Sequence, residues 1–161
     1  RLFSAGYDAV KSVFPKAKVI VHLDNGFYQP LYDSNLDTLA KYGAKWDVVG
    51  MSLYPYWALD SGLETDEEMV ITHCIDNINH VWNKYHTPVM IVETGFEVDE
   101  EHPEVMEKGR DQLRRIIRES RATGHCLGIF YWEPECRPSR YRLGAFTSDG
   151  RPTVIMDGFR E

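Results

Sequence analysis

Glu93 is the residue of this sequence best placed to carry out acid–base or nucleophilic chemistry. It ends the apolar run 88–92, and the two-residue period of a strand puts it on the same face as Ile91 and Val89. A carboxylate at a core-facing position is costly unless it is paired or used. Glu93 is therefore a candidate for function, the alternative being a structural role in capping the next helix or pairing with an arginine.

Polar side chains also end an earlier apolar run. His22 and Asp24 share one face of a predicted strand, and Asn25-Gly26 behind them is a turn dipeptide. Considered alone, His22 is more typical of a hydrogen-bonded core histidine, whereas Asp24 suits a turn stabilised by its own side chain and a ligand site equally well. Together with Glu93 at another strand end, they favour a site for a polar ligand.

Aromatic residues crowd the ends of the same runs. Sugar rings have apolar faces and hydroxyl edges, so aromatic platforms interleaved with carboxylates suit carbohydrate binding. An ordinary aromatic core is the alternative, but Pro55 and Pro134 mark places where two strands have already ended. The residues concerned are Phe27, Tyr28, Tyr54, Tyr56, Trp57 and Trp132, with Glu133 next to the last of them.

Four β-rich runs, nearly continuous in apolar residues, alternate with helical stretches. This pattern is typical of parallel strands buried on both faces of a sheet and joined by helices. We expect strands over 18–24, 47–54, 88–93 and 126–132. We expect helices over 2–14, 36–43, 65–85 (opened by a capping box from Thr65 to Glu68), 105–124 and 152–159.

Four βα units fit either half of an eight-stranded βα barrel or a small doubly wound sheet. Chemically informative residues follow all four strands, as at the carboxyl-terminal rim of a barrel, whereas a doubly wound sheet concentrates polar groups at one switch point. No glycine-rich phosphate-binding motif follows any of the strands. We therefore predict an α/β fold, a half barrel forming a single domain over residues 1–161.

The composition excludes several classes of partner. The 161 residues carry 18 basic and 25 acidic side chains, a net charge of −7 with no basic tract, so nucleic acid and anionic membranes are poor partners. No apolar run approaches the roughly 18 residues of a membrane span. The three cysteines lack zinc-site spacing and are expected to be free thiols. The chain begins at Arg1 inside a predicted helix, so we expect this start to be a cut.

The strand-end motifs, taken in order, strongly resemble the second half of the family 53 glycoside hydrolases, the endo-β-1,4-galactanases of a large clan of retaining barrel enzymes. The resemblance implies the C-terminal half of a (β/α)8 TIM barrel, strands 5 to 8, and hydrolysis of the galactan side chains of pectin or arabinogalactan. The motifs are HLDNGF (22–27), DVVGMSLYPYW (47–57), VMIVETGF (89–96), GIFYWEPE (128–135) and LGAFTSDGRPT (143–153).

The resemblance also implies a role for each candidate residue. Glu93 matches the catalytic nucleophile, which forms a covalent galactosyl-enzyme that water then resolves, with retention at the anomeric carbon. Tyr54 matches an aromatic that hydrogen-bonds the nucleophile, and Trp132 matches one beneath the sugar at the cleavage point. The other substrate-binding positions implied are His22, Asp24, Asn25 and Glu133.

The general acid/base glutamate of the family, which follows an asparagine at the end of strand four, has no counterpart in this sequence. A retaining pair needs its carboxyl groups about 5–5.5 Å apart, so that partner must come from outside these residues. We expect the 161 residues alone not to cleave galactan. The alternatives are a half barrel that binds carbohydrate without cutting it and a doubly wound regulatory domain unrelated to sugars.

No cofactor is expected and none of the site residues is assigned to a metal, although some bacterial members of the family bind calcium in the loop after strand seven. The corresponding loop 96–104 is acidic, but Asp99, Glu100 and Glu101 suit a helix N-terminus equally well. The expected partner is β-1,4-galactan, with self-association possible through exposed barrel edges. A polysaccharide substrate implies a secreted, periplasmic or cell-surface location.

Overall fold

The computed structural model describes residues 2–160, in which four strands alternate with helices. The strands are parallel and lie in the order β1-β2-β3-β4, without a crossover. The order confirms the half barrel and excludes the doubly wound sheet, in which the order switches. The elements are α1 (Leu2–Val13), β1 (Ile20–Leu23), α2 (Gln29–Lys41), β2 (Val48–Leu53), α3 (Pro55–Asp60), α4 (Glu67–Tyr85), β3 (Val89–Thr94), α5 (Pro103–Ala122), β4 (Cys126–Ile129) and a final 3-10 helix (Val154–Phe159).

The sheet has one face covered by helices and one face partly open. Val49, Met51 and Ile91 are fully buried on the covered face. Every residue of β2 is buried, whereas β1 and β4 at the two edges expose apolar side chains such as Leu127, which is 57% exposed. The continuous apolar runs predicted burial on both faces for all four strands. This burial occurs only in the middle of the sheet.

The helices differ in how much they contribute to the core. Helix α4 buries Ile71, Ile78 and Val81 between the sheet and its neighbours, and α5 buries Leu113 and Ile116. By contrast, α1 has no buried residue, so its predicted apolar stripe lies on the surface of the described chain. The core thus sits between the middle of the sheet and α4 and α5.

Two helix starts differ from the sequence-based prediction. Helix α2 begins at Gln29 rather than near 36, because Pro30 at its first turn favours helix initiation. The capping box predicted from Thr65 is wrong: Asp66 is the N-cap of α4, and its side chain accepts a 2.8 Å hydrogen bond from the Glu68 amide. The Asp66 carboxylate, one position after Thr65, accepts from a free backbone amide of the first turn, and its negative charge also interacts favourably with the helix dipole.

Strand β4 is shorter than predicted, but the chain continues along β3 beyond it. The Phe130 amide donates to the Ile91 carbonyl at 2.9 Å and the Trp132 amide to the Thr94 carbonyl at 2.9 Å. Glu133 then adopts a left-handed backbone conformation, with φ of 43°, and turns the chain away. The residues predicted as a strand up to position 132 therefore still run beside β3.

The predicted helix at 152–159 is a 3-10 helix packed on α5. Cys74, Cys126 and Cys136 are free thiols. Among residues 2–160, no helix is both long and apolar enough to cross a membrane.

Candidate active site

A change of register between β2 and β3 decides where Glu93 points. Met51 pairs with Ile91, but the next residue of β2, Ser52, pairs with Glu93, so Val92 is an extra residue in β3. A bulge of this kind re-aims the side chains that follow it. It places the Glu93 side chain beside that of Ser52.

The expectation that Glu93 shares a face with Val89 and Ile91 is therefore wrong. Those two side chains are fully buried on the helix-covered face, whereas Glu93 is only partly buried and contacts a side chain from the other face. The two-residue period holds up to the bulge and fails across it. The carboxylate lies in an accessible cavity instead of beneath packed aliphatic side chains.

Three side chains from the ends of two strands, β1 and β2, meet around this carboxylate at the end of β3. The Ser52 hydroxyl donates to Glu93 Oε2 at 3.1 Å, and the Tyr54 hydroxyl donates to the same oxygen at 3.4 Å. His22 Nε2 lies 2.7 Å from the Ser52 oxygen. Because the single Ser52 proton points at Glu93, His22 must donate from Nε2, which assigns the proton of a neutral ring to that nitrogen.

Five of the seven predicted site residues line one cavity of about 360 Å³. Clefts of this size are typical of small-ligand and sugar sites. It combines carboxylates, amide, hydroxyl and imidazole groups with one indole platform, a mixture suited to sugar hydroxyls and ring faces. The residues lining it are His22, Asp24, Asn25, Ser52, Tyr54, Trp57 and Glu93.

Trp132 and Glu133, the other two predicted binding residues, are not among the side chains that line this cavity. Both follow β4 at the same edge of the sheet, and Trp132 is 43% exposed. The backbone bond from Trp132 to Thr94 keeps this segment next to the end of β3. Their assignment to substrate binding stays a prediction.

Two buried side chains from the helices hold the turn that carries Asp24. The Tyr32 hydroxyl donates to the carbonyl of Asp24 at 3.1 Å and also to that of Leu23 at 2.9 Å. The Asn77 amide donates to the Gly26 carbonyl at 2.7 Å. Tyr32 and Asn77 are 0% and 1% exposed, so α2 and α4 fix the position of this strand end.

Ser52 and Tyr141 belong to the site environment but were not singled out from the sequence. Ser52 is a small polar residue inside the apolar strand β2, and this is the signal that could have found it. Tyr141 lies in the loop after β4, and its side chain is close enough to Tyr54 to raise the pKa of that residue. No local pattern connects positions 54 and 141, since only the folded loop brings them together.

The two tyrosine hydroxyls remain protonated at physiological pH. Burial raises the pKa of Tyr54 far above its ordinary value, and the neighbouring side chains of Tyr141 and Glu93 raise that pKa further. Burial also raises the pKa of Tyr141. Tyr54 therefore serves as a neutral hydrogen-bond donor towards the Glu93 carboxylate.

Two carboxylates of the acidic loop after β3 accept hydrogen bonds from other groups of the protein. Asp99 accepts hydrogen bonds from the amides of Glu101 and His102 and from the His102 ring, and the ring bond lowers the Asp99 pKa and raises that of His102. Glu100 accepts from the Ser148 amide and hydroxyl. Within residues 2–160, no group of three or more His, Cys, Asp and Glu side chains is arranged to hold a metal ion.

Solved structures with the same fold are barrel enzymes that act on glycosides. The Ignisphaera aggregans GH53 catalytic domain matches 97% of this chain with a TM-score of 0.73 and 22% identity. A structure reported for two fungal β-1,4-galactanases matches 93% with a TM-score of 0.73 and 17% identity. The chain covers 49% and 50% of those two structures, so its fold is half of a (β/α)8 glycoside hydrolase barrel.

The chain belongs to glycosyl hydrolase family 53, whose family model matches residues 1–153. An uncharacterized protein in the bgaB 5′ region of Niallia circulans is 27% identical over 86% of this chain. The arabinogalactan endo-β-1,4-galactanase of Thermothelomyces thermophilus is 24% identical over 76%. The chain spans only 41% and 40% of those two proteins.

Proposed function

We propose that this chain is the nucleophile-bearing, C-terminal half of a retaining endo-β-1,4-galactanase. The observation that carries the proposal is the Glu93 carboxylate, held by the Ser52 and Tyr54 hydroxyls in a cavity that also presents an indole ring. A carboxylate that is exposed to a sugar-sized cavity and fixed by neutral donors is suited to attack an anomeric carbon. Membership of family 53 and the galactanases among its relatives support this substrate class.

In the proposed reaction, Glu93 attacks the anomeric carbon and displaces the leaving oxygen, which takes a proton from an acid/base group supplied from outside these residues, and a galactosyl-enzyme forms. Water then gives a proton to that group, attacks the same carbon, releases Glu93 and restores the original configuration. His22, Asp24 and Asn25 bind sugar hydroxyls, and Trp132 and Glu133 complete the binding surface from the loop after β4. Galactan is a polymer of the cell exterior, so we infer that the enzyme acts outside the cytoplasm.

The cavity provides a second reason to expect the acid/base from elsewhere. Apart from Glu93, its lining within residues 2–160 contains one carboxylate, that of Asp24. Asp24 accepts a 2.7 Å hydrogen bond from the Asn25 amide, as a turn-stabilising aspartate does. This observation favours a second candidate function for these residues alone, namely binding of galactan without cleavage.

A mechanism-based label tests the role of Glu93 without needing the acid/base. A 2-deoxy-2-fluoro-β-galactobioside with a dinitrophenolate leaving group loses that group unprotonated when a carboxylate attacks its anomeric carbon. We expect one equivalent of fluorosugar on the peptide containing Glu93, none on Glu93→Gln and an unchanged amount on Glu135→Gln, which alters an exposed neighbouring carboxylate. A label on another residue, or no label, would show that Glu93 is not the nucleophile.

A further inference from the structure

A second cavity of about 460 Å³ adjoins the first, and Trp57 lines both of them. The indole therefore marks a point at which a polymer bound beside Glu93 can continue into the neighbouring groove. The other residues lining this second groove are Val98, Pro138, Ser139, Arg140, Tyr141 and Arg142. The groove is thus formed mainly by the loop that follows β4.

Aromatic side chains give this groove a fixed wall. Trp57 is 40% exposed, and its ring meets that of Tyr56 edge-on with the centroids 4.8 Å apart. The side chain of Tyr141 lies close to those of both Trp57 and Tyr54. The wall of the second groove is therefore adjacent to the tyrosine that contacts Glu93.

Arg142, one of the two arginines of the groove, has its guanidinium engaged in contacts with other side chains of the protein. Arg142 lies 2.7 Å from a Glu97 carboxylate oxygen and donates to the Tyr56 hydroxyl, and its guanidinium lies over the Tyr56 ring. The Arg142 carbonyl also accepts a 2.9 Å bond from the Val98 amide. This arginine joins α3, which follows β2, to the loops after β3 and β4, and Glu97 balances its charge.

The other arginine, Arg140, has no such partner. Its backbone is fixed by a turn in which the amides of Arg140 and Tyr141 both donate to the Arg137 carbonyl, at 2.9 and 3.0 Å. Across the part of the chain that the structure describes, the Arg140 guanidinium makes neither a hydrogen bond nor a salt bridge. Glu133 is close enough to influence Tyr141 but is not among the side chains that line the groove.

We propose that the groove between Trp57 and Arg140 is a subsite for a carboxylate-bearing sugar, so that the preferred substrate is a galactan chain decorated with uronic acid. A guanidinium presents paired N–H donors that match a carboxylate, and the aromatic rings beside it accept the apolar face of the sugar. This inference rests on the proposed function. The net charge of −7 repels acidic ligands at long range, so a preference for an acidic sugar would require a local cation.

Binding of two matched oligosaccharides by the full chain tests the inference. The probes are neutral β-1,4-galactotetraose and the same tetraose capped by one glucuronic acid, titrated with the intrinsic tryptophan fluorescence as readout. We expect the acidic probe to bind about fivefold more tightly at low salt, the range of an exposed ion pair. We expect that advantage to disappear in about 1 M salt, where the Debye length is roughly 3 Å.

Variants separate a local contact from a change in net charge. Arg140→Gln should abolish the preference for the acidic probe, and Arg140→Lys, which keeps the charge but loses the paired donors, should retain only part of it. Arg118→Gln removes an equal charge from an exposed site on α5 and should leave the preference unchanged. Equal losses in Arg140→Gln and Arg118→Gln would overturn the inference.

The two probes also distinguish this inference from the proposed function. If the neutral tetraose binds and the acidic cap brings no gain, the acidic subsite is refuted while the galactan-binding site stands. If neither probe binds, both proposals fail. A gain that persists in Arg140→Gln would place the recognition of the carboxylate elsewhere and would also refute the subsite.

Discussion

Ser52 and Glu93 face each other across β2 and β3, and the Ser52 hydroxyl donates to a Glu93 carboxylate oxygen at 3.1 Å. Ser52 is only 3% exposed, so this bond is shielded from competing water. Such a bond holds one oxygen of the carboxylate and leaves the other available for reaction. His22 continues the chain of contacts and fixes the Ser52 oxygen from the opposite side.

We expect Ser52→Ala to lower kcat/KM for galactan in the full-length protein by about tenfold, since a bond to a charged acceptor is worth roughly 1.5–3 kcal/mol. Because the bond orients Glu93, the loss should appear mainly in kcat. Ser61→Ala, which removes a hydroxyl bonded to the Ala58 carbonyl away from the cavity, is the matched control. Equal kinetics for Ser52→Ala and the wild-type protein would show that the bond does not position the nucleophile.

The 161 residues by themselves are expected to show no turnover of β-1,4-galactan. Retaining hydrolysis needs a second carboxyl group about 5–5.5 Å from the nucleophile, and these residues offer no family-like candidate. Reducing-end release from galactan by the purified chain is the measurement. Turnover that disappears in Glu93→Gln would contradict the prediction, because it would mean that these residues contain a complete catalytic pair.

The turn that carries Asp24 is expected to depend on the buried Tyr32 hydroxyl. Tyr32→Phe leaves the carbonyls of Leu23 and Asp24 without their donor, and we expect a loss of about 1–2 kcal/mol in the free energy of unfolding. Affinity for galactotetraose should also fall. Tyr42→Phe, at a position 73% exposed, is the control and should change neither quantity. An unaltered affinity in Tyr32→Phe would show that the turn keeps its shape without this bond.

A charged cluster between α2 and α4 should make stability depend on acid pH. Burial alone would raise the Asp33 pKa, but the hydrogen bonds from Lys84 and His80 outweigh it and hold that pKa well below its ordinary value. Since the folded-state pKa is depressed, the unfolded chain takes up the proton first as pH falls. The stabilisation is therefore complete above about pH 4 and is lost as the pH drops below it.

Urea unfolding of Asp33→Asn checks this dependence. We expect it to be less stable than the wild-type protein by about 1 kcal/mol at pH 7, with a smaller difference at pH 3. The exposed Asp76 on α4 supplies the control Asp76→Asn, which should be neutral at both pH values. A difference for Asp33→Asn that grows on acidification would reverse the expected sign and refute this account.

The open face and edges of the sheet predict concentration-dependent self-association of the isolated chain. Leu127 and Phe130 are 57% and 60% exposed at the β4 edge, where an unpaired strand also offers free backbone groups. Leu127→Lys should shift the sedimentation profile towards the monomer, whereas Leu63→Lys, at a 50% exposed position after α3, should not. A stable monomer of the wild-type chain at all concentrations would contradict this prediction.

The strand positions and their parallel order follow from the sequence, because four apolar runs at regular intervals are a local signal. The same signal, with the polar residues that end each run, was sufficient to predict that His22, Asp24, Tyr54 and Glu93 would meet at one edge of the sheet. Parallel strands bring their carboxyl ends together, so the meeting needs no knowledge of side-chain packing.

Other features depend on contacts that no local pattern contains. The extra residue at Val92 is a property of the pairing between two strands, so alternation within β3 gave the wrong face for Glu93. Tyr141 reaches Tyr54 only through the folded loop after β4. The cap of α4 differed because Thr65 and Asp66 both suit an N-cap, and their sequence did not decide between them.

Because Val92 is an extra residue in β3, the ability of this chain to present its nucleophile depends on how β2 and β3 pair as well as on which residues it contains. A sheet of the same sequence with regular pairing, in which Val92 lies opposite Ser52 and Glu93 opposite Leu53, would turn the carboxylate towards the helices, among Ile91 and its aliphatic neighbours. Such a molecule would retain the outward signature of a glycosidase while being unable to present its nucleophile to a sugar.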